Sequence, residues 1–224
     1  MILNSARIMT DWLLRIFKWP IAIFSLALLP SSLLALFSLS KIALLNFSDF
    51  FYFLSGFFVY ALLWVMLFKK EFVGSFFSTL EHEITHSFFA FCTFHRVSGL
   101  RATWNEGGVV YVHGGTNWLI SIAPYFFPTL SIGLIMIFHI LFIDLAVLQA
   151  LLGVTTAYHI TSTIRETHSN QPDLKETGFL FAWCFLPTAN ICLWGIIMMF
   201  VLFPDQSLAS FPSLVIDDAF DMFR

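Results

Sequence analysis

Apolar residues in this chain fall into long runs, and polar residues are mostly confined to the gaps between them. A helix that crosses a bilayer needs about 20 predominantly apolar residues. Six stretches approach or reach that length: residues 21–45, 50–68, 72–94, 118–141, 143–162 and 178–203. The pattern predicts an all-α integral membrane protein with about six transmembrane helices. Pro30, followed by Ser31 and Ser32, predicts a kink in the first run, and Pro124 with Pro128 predicts one near the start of the fourth. Arg7, Arg15 and Lys18 precede the first run as a signal peptide's charged leader would. That run is too long for the apolar part of a signal peptide, and no Ala-x-Ala pattern follows, so it reads as a retained helix.

Residues 97–115 break the pattern. Val109, Val110, Tyr111 and Val112 are strand formers, and they follow the turn residues Asn105, Glu106, Gly107 and Gly108. A β-hairpin inserted after the third helix is the natural reading. Lipid does not tolerate an open sheet edge, so this hairpin must lie outside the bilayer or inside a protein cavity. A polar loop over 166–176 leads into the last helix, and a tail with Asp205, Asp217, Asp218 and Asp221 reads as an aqueous appendage. No internal repeat divides the chain. The helices group as an accessory part (1–71), a core (72–203) and an acidic tail (204–224).

Composition agrees with the pattern. Hydrophobic residues make up 58% of the chain and charged residues 11%, with mean hydropathy +0.84; soluble domains average about 45–50% and 25%. A net charge of −3 gives no sign of a nucleic-acid or other acidic partner. Cys92, Cys184 and Cys192 form no paired motif and lie in apolar runs, so they read as small buried hydrophobes rather than disulfides or ligands. With the N-terminus inside, the basic residues divide six against five across the membrane, which supplies no positive-inside signal.

The chemistry lies in the third run, at Glu81-His82-Glu83-Ile84-Thr85-His86. His82 and His86, spaced i and i+4, lie on one helix face, and both imidazoles can grip a single zinc ion. Glu83 is then placed to take a proton from water on that ion. Each ionisable group at mid-membrane costs about 2.5–3.5 kcal/mol, so such groups are functional by default. The plainer alternative is a hydrogen-bonded polar cluster between helices. Other polar residues in the runs have local readings. His159 can bond Thr155 or Thr163, or serve a substrate cavity. His139 is an interhelical donor. Asn117 starts a helix. Asn190 either bonds the carbonyl freed by Pro187 or faces the cavity.

An HExxH helix in a membrane, a glycine-containing hairpin after it and a later helix led by an aspartate together resemble the site-2 protease family of intramembrane zinc metalloproteases. The similar region covers about residues 72–203. The resemblance implies that His82 and His86 bind Zn2+, that Glu83 is the catalytic base, and that Asp173, in Asn170-Gln171-Pro172-Asp173, is the third ligand. Where the family has an Asp-Gly pair, Leu174 follows Asp173 here. Glu166 and His168 are rival ligands in the same loop, and Asp173-x-x-Glu176 also fits a capping box ahead of the last helix. The implied activity is hydrolysis of a peptide bond in or near a transmembrane segment of a membrane-anchored protein substrate, with the strand edge at 109–112 holding the substrate extended. A non-catalytic scaffold and a metal or proton transporter are the alternatives; transporters usually carry symmetric halves, which this chain lacks.

Overall fold

A computed structural model describes residues 2–68, 75–104, 107–138, 140–141, 143–206 and 208–222. Several expected features lie outside these: the end of the second helix at Lys69 and Lys70, the start of the third at Phe72, the turn residues Asn105 and Glu106, and His139. The described elements are α1 (Ile2–Leu45), α2 (Phe47–Leu63, running on into a π-helical turn, Trp64–Phe68), α3 (Ser75–Cys92), β1 (Arg96–Ala102), β2 (Gly108–His113), α4 (Trp118–Ile122, followed by a 3-10 turn, Ala123–Tyr125), α5 (Thr129–Phe138), α6 (Leu145–Glu166), α7 (Pro172–Thr177), α8 (Phe179–Leu202) and α9 (Ser210–Met222).

Among the described residues, four helices are long and apolar enough to cross a membrane: Leu3–Leu45, Phe47–Met66, Leu145–Glu166 and Phe179–Leu202. A fifth span exists if the pair Trp118–Tyr125 and Thr129–Phe138, bent by 83°, counts as one. The described residues thus show four or five of the six expected spans, and the start of the third run lies outside them. The fourth run breaks at its prolines, and the charged motif lowers the hydropathy of α3.

α1 differs most from expectation, because it begins at Ile2 rather than at residue 21. At 44 residues and about 1.5 Å per residue, it is roughly 66 Å long, about twice the hydrocarbon thickness. Pro20 and Pro30 both lie inside it. Three hydrogen bonds tie its first half to other elements. Asn117 donates to Asp11 at 2.9 Å, Trp118 Nε1 donates to Leu14 O at 2.7 Å, and Lys18 donates to Thr177 O at 2.8 Å. This half of α1 therefore braces the segments around α4 and α7.

The apolar core has three centres. One joins Trp118, Tyr125 and Phe181 between α1, α4 and α8; another joins Phe50, Phe53, Leu148, Leu152 and Ile197 between α2, α6 and α8. In the third, Phe211 and Val215 of α9 pack against Leu39 and Met199. The acidic tail is thus not a free appendage, although Asp205, Asp217 and Asp221 are exposed. Its apolar positions dock on α1 and α8, and Phe211 fills the space left by Gly195. Nor are the cysteines buried: Cys92 is exposed at the end of α3, and Cys184 and Cys192 are partly so.

The hairpin forms as expected, antiparallel from Arg96↔His113 to Ala102↔Gly108, with an irregularity between Val97 and Gly99. It packs on α3. The tightest helix contact is between α2 and α6, where Gly56 meets the Ala150 carbonyl and Gly153 meets the Phe53 carbonyl. A methyl group at either glycine would overlap that backbone. Gly153→Ala is therefore expected to cost about 1–3 kcal/mol of stability by overpacking. Gly133→Ala on α5, where a Cβ meets open space, should be neutral or stabilise by up to about 1 kcal/mol. Unfolding of both variants in detergent, followed by circular dichroism, checks the contrast; equal behaviour would remove the close-packing argument.

Candidate metal centre

α3 carries His82 and His86 one turn apart, with ring centroids separated by 4.7 Å. Each imidazole is held by its outer nitrogen. His86 Nδ1 donates to the backbone carbonyl of Ile120, on α4, at 2.8 Å. His82 Nδ1 bonds Glu166 Oε2, at the end of α6, at 2.7 Å. With the Nδ1 atoms occupied, both Nε2 atoms turn inward to the same carboxylate oxygen, Asp173 Oδ2, at 3.4 Å and 3.5 Å. One ligand atom from each of His82, His86 and Asp173 lies within 4.8 Å of the other two.

This arrangement suits a metal ion. Bonds of about 2.0–2.2 Å to a tetrahedral ion place ligand atoms about 3.3–3.6 Å apart, and the two Nε2–Oδ2 separations, 3.4 and 3.5 Å, fall in that range. Two neutral imidazoles and one carboxylate are also the donor types of an open catalytic site, with a coordination position left over. Burial pushes the Asp173 carboxyl up, but hydrogen bonds with His82 and His86 outweigh this and hold it below the ordinary carboxylate range.

Of the loop candidates, the structure brings Asp173 to the inner nitrogens. It does not cap the last helix. Gln171 occupies the N-cap of α7, Pro172 is the first helical residue, and Asp173 lies in the first turn. Glu176, the other half of the expected capping box, accepts from Thr116 Oγ1 at 2.8 Å. Tyr125 donates to Asp173 Oδ2 at 3.3 Å, and the buried Leu174 anchors α7 on its other side. Glu166 faces the outer nitrogen of His82, not the inner ones. His168 is exposed, and its Nδ1 accepts from Asn170 N at 3.3 Å.

Glu83 is buried beside these residues without a place among the three ligand atoms. It lines the same cavity, about 600 Å³, together with His82, His86, Asp173 and residues of β2. Gly108 at the start of β2 lies directly against it. A Cβ there would stand 2.5 Å from Glu83 Cγ and 2.6 Å from Oε1.

The remaining polar residues have structural places. Asn117 caps α4, accepting from Leu119 N and Ile120 N. Asn190 donates to Leu186 O and Tyr125 O, both at 3.0 Å, so its amide ties α8 to the turn that carries Tyr125. The carbonyl left free by Pro187 belongs to Trp183, one turn earlier, and Asn190 does not serve it. His159 is buried but does not line the cavity. Thr155 bonds Ser131 and Leu151 O instead of His159. Sequence reasoning missed Tyr125, Ser78, Ser162 and the Ile120 carbonyl. Only the serines left a signal, each standing one helical turn ahead of a site residue, His82 or Glu166.

A family model described as Peptidase M50B-like matches residues 57–170. The matched segment runs from α2 through α6; it includes His82, Glu83, His86 and Glu166 and ends before Asp173. No curated protein and no solved structure matches the chain.

Asp173→Ala leaves two imidazoles and no anionic donor. Tight metal binding should be lost, measured as metal content per purified chain. Retention of a full equivalent of metal would remove Asp173 from the donor set.

Proposed function

The chain belongs to the Peptidase M50B-like family, and from that premise we propose that it is a multi-pass intramembrane zinc metalloprotease. Its substrate would be a membrane-anchored protein, cut in or near a transmembrane segment. The observation that carries this reading is the convergence of the His82 and His86 Nε2 atoms on Asp173 in a cavity that also holds the non-ligating Glu83.

His82, His86 and Asp173 would hold the ion, with the outer nitrogens of both histidines fixed so that only Nε2 is free to bind. When bound, zinc supplies a Lewis acid, polarising a carbonyl and lowering the pKa of a water molecule towards 7. Glu83, one residue after the first ligand, accepts a proton from the attacking water and returns it to the leaving amine. Gly108 lets the β2 backbone approach the Glu83 carboxylate without a side chain between them. A substrate held extended along residues 109–112 would present its backbone to the cavity. A peptide bond inside a transmembrane helix must leave that helix before attack, and an extended binding edge favours the unwound form. The scaffold alternative rests on an incomplete ligand set, and the position of Asp173 speaks against it.

Two variants test the assignment on a membrane-anchored reporter protein in proteoliposomes. Glu83→Gln should retain zinc and lose cleavage by about 10²–10⁴-fold, the range for loss of a general base. Cleavage near the wild-type rate would make the role of Glu83 wrong. Gly108→Ala should retain zinc, displace the Glu83 carboxylate and lower the rate by up to about 10²-fold, the scale of a 1 Å misplacement.

A further inference from the structure

Glu166 is the last residue of α6, a place where an anion faces the negative end of the helix macrodipole and is disfavoured. Helix stability therefore does not account for it. Its two oxygens account for it better. Oε2 takes the outer nitrogen of His82 at 2.7 Å, while Oε1 takes the hydroxyls of Ser78 and of Ser162, the latter at 3.2 Å. The two serine hydroxyls lie 2.9 Å apart.

Ser78 stands one turn before His82 on α3, and Ser162 stands one turn before Glu166 on α6. The four side chains thus make a single rung between two helices. We infer that Glu166, cradled by Ser78 and Ser162, is a positioning residue that sets the tautomer and ring orientation of His82 for metal binding.

This inference rests on the metal-centre reading above and assigns a residue that reading leaves without a role. A neutral imidazole carries one N–H, so a carboxylate at Nδ1 keeps the proton there and leaves the Nε2 lone pair facing inward. The short contact to a charged acceptor also resists ring rotation. His86 has the same arrangement through the Ile120 carbonyl, which no side-chain substitution removes. His82 alone depends on a replaceable partner. That partner cannot also be a ligand while both its oxygens are engaged on the outer side of the ring. One carboxylate ligand leaves a dication with one uncompensated positive charge, and Glu166 places a second anion one imidazole away.

The test is zinc affinity of the purified full chain in detergent, measured by competition with a chromophoric chelator, alongside melting of the metal-free protein. Glu166→Gln, which keeps the shape and an acceptor oxygen but not the charge, should weaken zinc binding by about 10–100-fold without lowering the metal-free melting temperature. Glu166→Ala should weaken it further. Ser78→Ala with Ser162→Ala, which frees the carboxylate without removing it, should weaken it by a smaller factor. Wild-type affinity in Glu166→Gln overturns the inference and leaves the metal centre standing. A complete loss equal to that of Asp173→Ala also overturns it, by making Glu166 a ligand. If Glu166→Gln does not fold, the serine pair decides, and unchanged affinity there overturns the inference. A wild-type protein that binds no zinc overturns the metal-centre reading and the inference with it.

Discussion

Charged and polar groups inside an apolar bundle must find partners, and most of this architecture follows from that demand. His82, Glu83 and His86 are all buried on α3, in a protein with few charges to spare. An unpaired ion in such surroundings is strongly unfavourable. The outer nitrogens are met by a backbone carbonyl on α4 and a carboxylate on α6, and the inner ones by a carboxylate on α7. Three further helices are thereby drawn to one point on α3. The break in the fourth apolar run belongs to the same demand, because the turn after α4 brings Tyr125 to Asp173.

Short elements need external support, and α7 has only six residues. Isolated helices of that length are not stable in water. Lys18 bonds the Thr177 carbonyl at the end of α7, Thr116 bonds Glu176, and Leu174 is buried among aromatic residues. The first half of α1 is therefore tied into the centre that α7 serves. Close packing of α2 on α6 through Gly56 and Gly153 does comparable work on the other flank, seating the helix that ends in Glu166.

Interactions within one helix were legible in the amino-acid sequence, because they follow from spacing alone. An i, i+4 histidine pair shares a helix face wherever that helix sits, and Glu83 is carried along by the same geometry. The hairpin was legible for a similar reason: turn residues followed by strand formers specify it locally. Resemblance to the site-2 proteases pointed to Asp173 among its rivals in the loop, and the family match agrees with that resemblance without reaching Asp173. Apolar runs announced a membrane protein, but run length by itself does not register an 83° bend.

Contacts between residues about ninety positions apart were decided only by the tertiary structure. Nothing in spacing says that Glu166 meets the outer nitrogen of His82 while Asp173 meets the inner one. That distinction depends on how α6 and α7 pack against α3. The same holds for α9. Its acidic residues suggested water, yet Phe211 and Val215 find a complementary notch on α1 and α8. Sequence determines which groups need a partner, because burial energy is a property of residue type; which partner each receives is a property of the packed helices.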